Sequence, residues 1–416
     1  MKHPLEFPVF ITELIKCDQY FPFPENLSEN PFNTILWQWS SIGQELLSKE
    51  MSFACSNFDL SCYISWAKEI FYQFQELATP SLALETRIQS LEKESIKCSD
   101  YIQDFCIHFL KNSIVRAEFF SEYSYLSTLL SKIYISWKKN IVDIHQYLIQ
   151  DRDKLISYFD ISSNDFKVSA LKIGLSDAHN GHQSVYEMEF INGKSLFYKP
   201  RNLEIEKKFQ DLLKELNLLG IQPDFKIIKI LSLKNHGWVE KVNSLDCQSA
   251  KEVESFYIRS GVNLCLLYLL CGVDFHFENV IAAGEYPMLV DLECLLHPTP
   301  ISRELDPVVE EFIGSVLSIG LLPNLIFCNV KGPGIDVGGL SNVSDQINPF
   351  SSASWEKDSN GLPKLVYYHK DISENNHMPF LNGARVNPTD YLNEILEGFE
   401  TSYLFFSKIF VVFVAL

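Results

Sequence analysis

Apolar residues recur at helical spacing through the first third of the chain. Phe105, Phe109, Ile114, Phe119 and Tyr123 fall near one face, as do Leu126, Leu130, Ile133 and Trp137. The pattern predicts helices from Pro31 to about Ile156, after an irregular start rich in Pro and Phe. Glycine is absent between Gly43 and Gly174, which suits an uninterrupted helical region. Near Ser162 the period changes. Val185–Ile191 and Lys194–Lys199 flank Asn192-Gly193 and predict a hairpin with a type I′ turn. Leu203–Leu219 then predicts a helix through Phe209, Leu212, Leu213 and Leu216. Phe225–Leu233 and Trp238–Val242 predict a second strand pair. Lys251–Cys271 reads as a helix whose second half is apolar all round and therefore buried. Val280–Ala283 and Met288–Leu292 predict a third strand pair around Gly284 to Pro287.

Between the buried helix and the third strand pair lies Asp274-Phe275-His276-Phe277-Glu278-Asn279, with Asp291-Leu292-Glu293 twelve residues after the Asn. Carboxylates held between apolar stretches need a partner. A divalent cation carrying a polyphosphate is one such partner, and protein kinases use this order of catalytic Asp, metal-binding Asn and metal-binding Asp. The competing reading is a polar helix-to-strand connection whose residues only cap and solvate. In the kinase reading Asp274 orients or deprotonates the acceptor hydroxyl, and His276 assists that step or steadies the transferring phosphoryl group. Asn279 and Asp291 supply the oxygen ligands that Mg²⁺ prefers. Glu293, two residues on and on the same face if the strand continues, adds a ligand or binds a neighbouring basic group. Lys199 and Arg201, in Tyr198-Lys199-Pro200-Arg201, are the candidate phosphate cations. Lys199 has the plainer alternative of a solvated lysine at a strand end, and Arg201 that of a surface ion pair. Asp177 and His179 form a second polar cluster just before the hairpin, alternatively an Asx turn. Glu206 and Glu215 are equal candidates as the Glu partner of Lys199, and Arg259 has no assignable role.

Composition narrows the classes. A net charge of −18 argues against a general nucleic-acid binder. Ten scattered cysteines without a CxxC pair predict a reduced, cytoplasmic protein with small buried thiols, and no pair has metal-ligand spacing. No stretch approaches the roughly 18 apolar residues of a membrane span. The length of 416 residues and 46% hydrophobic content allow two or three domains with sizeable cores.

Taken in order, several segments resemble the dehydratase portion of class II lanthipeptide (lantibiotic) synthetases of the LanM type. They are Ser176-Asp177-Ala178-His179, Tyr198-Lys199-Pro200-Arg201, Gly237-Trp238-Val239-Glu240, Asp274 to Asn279, Pro287 to Glu293, and Gly398-Phe399 with Tyr403. The resemblance implies an α+β fold: a lipid-kinase-like, two-lobed dehydratase domain over 156–403, preceded by an all-helical region over 1–155. It implies ATP- and Mg²⁺-dependent phosphorylation of Ser and Thr in a ribosomal precursor peptide, followed by elimination of phosphate. By that carry-over Lys199, Asp274, His276, Asn279 and Asp291 serve phosphorylation, and Asp177 and His179 serve elimination. The family's dehydratase continues to an Arg and a Thr used in elimination, then to a zinc-dependent cyclase. Here the chain stops at Leu416, and 404–416 form an atypical apolar tail. The expectation is a truncated enzyme that phosphorylates but eliminates poorly, with no zinc and no ring closure. The alternative is a non-catalytic remnant that binds nucleotide or leader peptide.

Overall fold

A computed structural model describes residues 7–414 apart from 23, 25–26, 28–29, 52–56, 93–99, 176–182, 299–305, 327–333, 342–345 and 373–375. It divides into two compact units: 1–200 with 352–368, and 201–351 with 369–416.

Among the described residues seven helices open the first unit: α1 (Val9–Lys16), α2 (Asn33–Glu50), α3 (Leu60–Glu92), α4 (Tyr101–Lys111), α5 (Ser113–Glu122), α6 (Ser124–Gln150) and α7 (Arg152–Phe159). Most of the apolar period read from the sequence is what they bury; Ile114, at the start of α5, is instead exposed, and Tyr123 is half-buried. Phe105, Phe109, Phe119, Leu126, Leu130, Ile133 and Trp137 are all inside, beside Trp39, Trp66, Phe71 and Phe74. Each such side chain contributes about 1.5–3 kcal/mol by leaving water. The long α3 packs on α2 and α6, and Trp137 Nε1 donates to Trp66 O at 3.0 Å. Local capping sets the boundaries. Asp100 caps α4 through Gln103 N, and Asn112 caps α5 through Ile114 N and Val115 N.

Three antiparallel strands follow: β1 (Val168–Lys172), β2 (Tyr186–Phe190) and β3 (Ser195–Lys199). The β2–β3 hairpin forms where expected, but its turn differs. Only Gly193 has positive φ (+80°), while a type I′ turn needs it at Asn192 too. Gly193 N donates to Phe190 O and Phe190 N to Lys194 O, both at 2.8 Å. The turn is a type I turn closed by a left-handed glycine, which inserts one extra residue.

The second unit begins with α8 (Glu204–Leu218), the hairpin β4 (Ile230–Ser232) and β5 (Gly237–Glu240), and the central helix α9 (Ala250–Leu269). Ser249 caps α9 through Glu252 N, while Glu252 reaches back to Gln248 N at 2.8 Å. Every residue from Arg259 to Leu267 is buried, as the apolar run predicts. Next come the hairpin β6 (Val280–Ala283) and β7 (Tyr286–Leu289), the helix α10 (Pro307–Ile313) and the short pair β8 (Leu325–Ile326) and β9 (Ile335–Asp336). The ribbon β10 (Ile347–Lys357) and β11 (Pro363–Asp371), whose residues 352–368 count with the first unit, and the pair β12 (Phe380–Leu381) and β13 (Ala384–Arg385) precede α11 (Leu392–Val414). The α9–α11 crossing is close enough to require glycine on both helices. A Cβ on Gly261 would lie 2.0 Å from Ile395 O, and one on Gly398 1.9 Å from Ile258 O. The chain is thus a mixed helix-and-sheet fold with a helical N-terminal region. No helix among the described residues is long and apolar enough to cross a membrane.

Candidate functional site

The site is built at the end of α9. Cys271 adopts the left-handed conformation (φ +48°), its N–H bonding Tyr268 O, while Gly272 N bonds Leu267 O. This is a Schellman cap with Cys where Gly is usual. The chain leaves the helix abruptly and enters Val273-Asp274. Backbone bonds then fix the loop on two sides: Phe275 N donates to Ile319 O (2.9 Å) and Phe277 N to Val337 O (3.1 Å). Phe275 and Phe277 point inward, buried, and their polar neighbours Asp274, His276 and Glu278 are left outward.

Hairpin register brings the distant carboxylate back. Val280 pairs with Leu289, and Val290 N donates to Asn279 O at 3.0 Å. Asn279 therefore stands opposite Val290, and Asp291 is one residue beyond. The strand does not continue to Leu292 as predicted. Asp291 turns left-handed (φ +57°) and Leu292–Cys294 form a 3₁₀ turn around buried Leu292. Asp291 and Glu293 still face the same partner, through this turn rather than through the pleat of a strand.

Asn279 Nδ2 donates to Asp274 O at 2.8 Å. That fixes the amide, whose carbonyl end then points away from the donor contact. His276 Nδ1 accepts from Glu278 N at 3.3 Å, an assignment that leaves the proton on Nε2. Nε2 lies 3.7 Å from Asp274 Oδ1 and 3.4 Å from Asn279 Nδ2, so it faces the carboxylate with no direct hydrogen bond to it. Asp274 has φ +70°, a conformation short polar side chains tolerate best.

Arg201 lies at the centre of the acidic half. Its guanidinium is 2.5 Å from Glu206, 2.8 Å from Asp291 and 3.2 Å from Glu293. The Cys294 thiol registers the same neighbourhood. Burial raises its pKa first; the Asp274, Glu293 and Asp291 carboxylates raise it further, and Arg201 opposes them. Of the two glutamates that spacing left equal, Glu206 is buried at the start of α8 and Glu215 is exposed. Lys199 is half-buried at the end of β3 in the first unit. Asp177 and His179 lie outside the described residues. Sequence reasoning left Arg259 unassigned, and its role is structural. Buried in α9, it donates to Asp224 O, pairs with Asp224 and Glu285, and stacks 4.2 Å over Tyr286. Its signal was an arginine in the half-apolar stretch of a helix predicted to be buried, where a charge must find partners.

Beside the loop opens a cleft of about 640 Å³. Asp274, His276 and Glu278 line it together with Phe312, Leu317, Val337 and Phe350. Among the described residues no three His, Cys, Asp or Glu side chains converge as a metal site. The available donors nevertheless suit a hard cation: an amide oxygen and two carboxylates, the carboxylates already shared by a cation of the protein's own.

Residues 123–410 match the family model described as a domain of unknown function, DUF4135, well over half of the chain. The chain belongs to the DUF4135 family. A relative from Lactococcus lactis subsp. lactis, the lacticin 481/lactococcin biosynthesis protein LcnDR2, is 31% identical over 257 residues. That alignment covers 57% of this chain and 27% of the relative, so the chain spans only a minor part of that protein's length. The two findings together bear out the resemblance to LanM-type lanthipeptide synthetases. The DUF4135 match contains Lys199, Arg201, Asp274, His276, Asn279, Asp291 and Glu293.

Proposed function

We propose that this chain acts in lanthipeptide (lantibiotic) modification, transferring the γ-phosphoryl group of ATP to Ser and Thr hydroxyls of a ribosomal precursor peptide within a lipid-kinase-like frame. The observation that carries this reading is the closure of Asp274, Asn279 and Asp291 into one neighbourhood by loop and hairpin register. Their order and chemistry are those of a phosphoryl-transfer site. Similarity to a lantibiotic-biosynthesis protein supports the substrate class.

In this reading the Asp274 carboxylate, exposed to the cleft, accepts the proton of the attacking hydroxyl. His276, its Nε2 3.7 Å from Asp274 Oδ1, assists that step from beside the carboxylate. Asn279, Asp291 and Glu293 would hold Mg²⁺, which supplies charge neutralisation at the phosphates. Lys199 is the proposed phosphate cation, on the resemblance of its Tyr-Lys-Pro-Arg segment. The new bond joins the peptide oxygen to phosphorus as the bond to ADP breaks. Elimination would follow, with loss of the Cα proton and the phosphate group to leave a dehydro residue. Asp177 and His179 are the proposed residues for that step.

The test is incubation of the chain with ATP, Mg²⁺ and a precursor peptide, read by mass spectrometry. A peptide gaining a phosphoryl group, or losing water after it, supports the reading. Asp274→Asn tolerates the left-handed backbone and is expected to slow transfer by about 10²–10⁴-fold while the fold persists. An unmodified peptide with nucleotide bound would instead favour a non-catalytic binding module, a reading the Arg201 clamp on Asp291 and Glu293 also suits.

A further inference from the structure

The three carboxylates around Arg201 are not equivalent. The Glu206 side chain is 4% exposed, whereas Asp291 and Glu293 are 43% and 49% exposed. Releasing Arg201 from Glu206 would strand a buried charge, which is costly. Releasing it from the other two returns half-hydrated carboxylates to water at little cost. The backbone around Arg201 is also fixed. Asn202 Oδ1 accepts from Glu204 N at 2.8 Å, and Leu203 N donates to Ser232 Oγ at 3.2 Å. The guanidinium therefore has one anchored contact and two contacts that can be exchanged.

We propose that Arg201 is a positioning residue that serves as the resident cation of the site. It holds Asp291 and Glu293 in place and yields them to a divalent cation. This rests on the metal-and-ATP reading above. A guanidinium and a divalent cation on the same oxygens repel each other and compete for the same lone pairs. Cation binding without nucleotide is therefore weak. When the cation arrives with a polyphosphate, the phosphate oxygens offer the displaced guanidinium a new bidentate partner. Nucleotide and metal then bind cooperatively, since each removes a cost from the other.

The test is titration of the whole chain with Mn²⁺, following the free-ion signal by electron paramagnetic resonance, with and without a non-hydrolysable ATP analogue. Without nucleotide, Arg201→Gln is expected to bind Mn²⁺ at least about fivefold more tightly than wild type, because a repelling charge has gone. Arg201→Lys keeps the charge but cannot fork, so its affinity should fall between the two. A residue that merely organised the carboxylates would show the opposite sign in both variants. If Arg201→Gln does not fold, the Arg201→Lys comparison decides alone. Wild-type Mn²⁺ uptake with nucleotide, but no gain in either variant without it, overturns the role of Arg201 only. No uptake by any variant, even with nucleotide, overturns the metal-and-ATP reading itself.

Discussion

Arg116 and Arg201 carry the same planar fork in opposite settings. Arg116 lies in the helical unit, its side chain 2% exposed. It donates to Ile15 O, Cys17 O, Phe109 O and Leu110 O, and to Asp18. Those carbonyls are the orphan acceptors at the C-terminal ends of α1 and α4, so one guanidinium closes two helices. Arg201 meets no carbonyl in this way; it faces three carboxylates, two of which water also reaches. Backbone conformation follows the same division. Of the six described non-glycine residues with positive φ, five lie in the second unit, and two of those are Asp274 and Asp291. The lesson is that burial with complete pairing marks charges used for folding. Partial exposure leaves the carboxylates around Arg201 open to exchange with water, and Asp291 among them also carries a left-handed backbone.

The largest effect expected is at the buried fork. Arg116→Ala should cost about 3–5 kcal/mol in urea unfolding, because several buried carbonyls lose their donor at once. A loss under about 1 kcal/mol would break the comparison. The second unit has its own point of no tolerance. Gly398→Ala drives a Cβ into Ile258 O, and parting α9 from α11 should cost on the order of 3 kcal/mol.

A buried acid in the helical unit sharpens the contrast through pH. Burial raises the Glu69 carboxyl from 4.5 to about 7, opposed by the hydrogen bond from Tyr186 Oη at 2.7 Å. The folded state thus keeps its proton where the unfolded chain has lost it. The stabilisation is fully present below pH 4.5, falls as pH rises toward 7, and is absent above. Glu69→Gln should therefore be more stable than wild type at pH 8 by up to about 3 kcal/mol, with the gain vanishing by pH 4.5. A difference that does not vary with pH would show that the carboxyl is not protonated in the fold. The smallest effect is at the hairpin turn: Gly193→Ala at φ +80° should cost about 1 kcal/mol and leave the α9 loop untouched.

Long periodic elements were legible in the sequence. Helices over 31–156, a buried α9 and the three hairpins all form near their expected places, because an apolar stripe of period 3.6 or 2 has few other ways to leave water. Local backbone detail was less legible. The Asn192-Gly193 pair signals a turn but not its type, which depends on how the flanking strands are registered. The strand expected through Leu292 ends at Leu289, because burying Leu292 draws the chain into a turn. Arg201 was read as a phosphate cation beside other plausible roles, and only its three partners show what it holds here. Arg259 had no readable role at all, since its partners Asp224 and Glu285 are 35 and 26 residues away.

The sequence by itself determined which reactive residue types stand at the candidate site and which stripes are buried. Residue type sets acidity, donor geometry and hydrophobicity, and spacing sets the period. Tertiary structure decided which charges meet. The register of β6 against β7 brings Asp291 to Asn279, and the placement of α8 sets Glu206, rather than Glu215, against Arg201. An ion pair costs or stabilises according to distance and burial. Both are properties of the folded chain, and neither is written at any one position of the sequence.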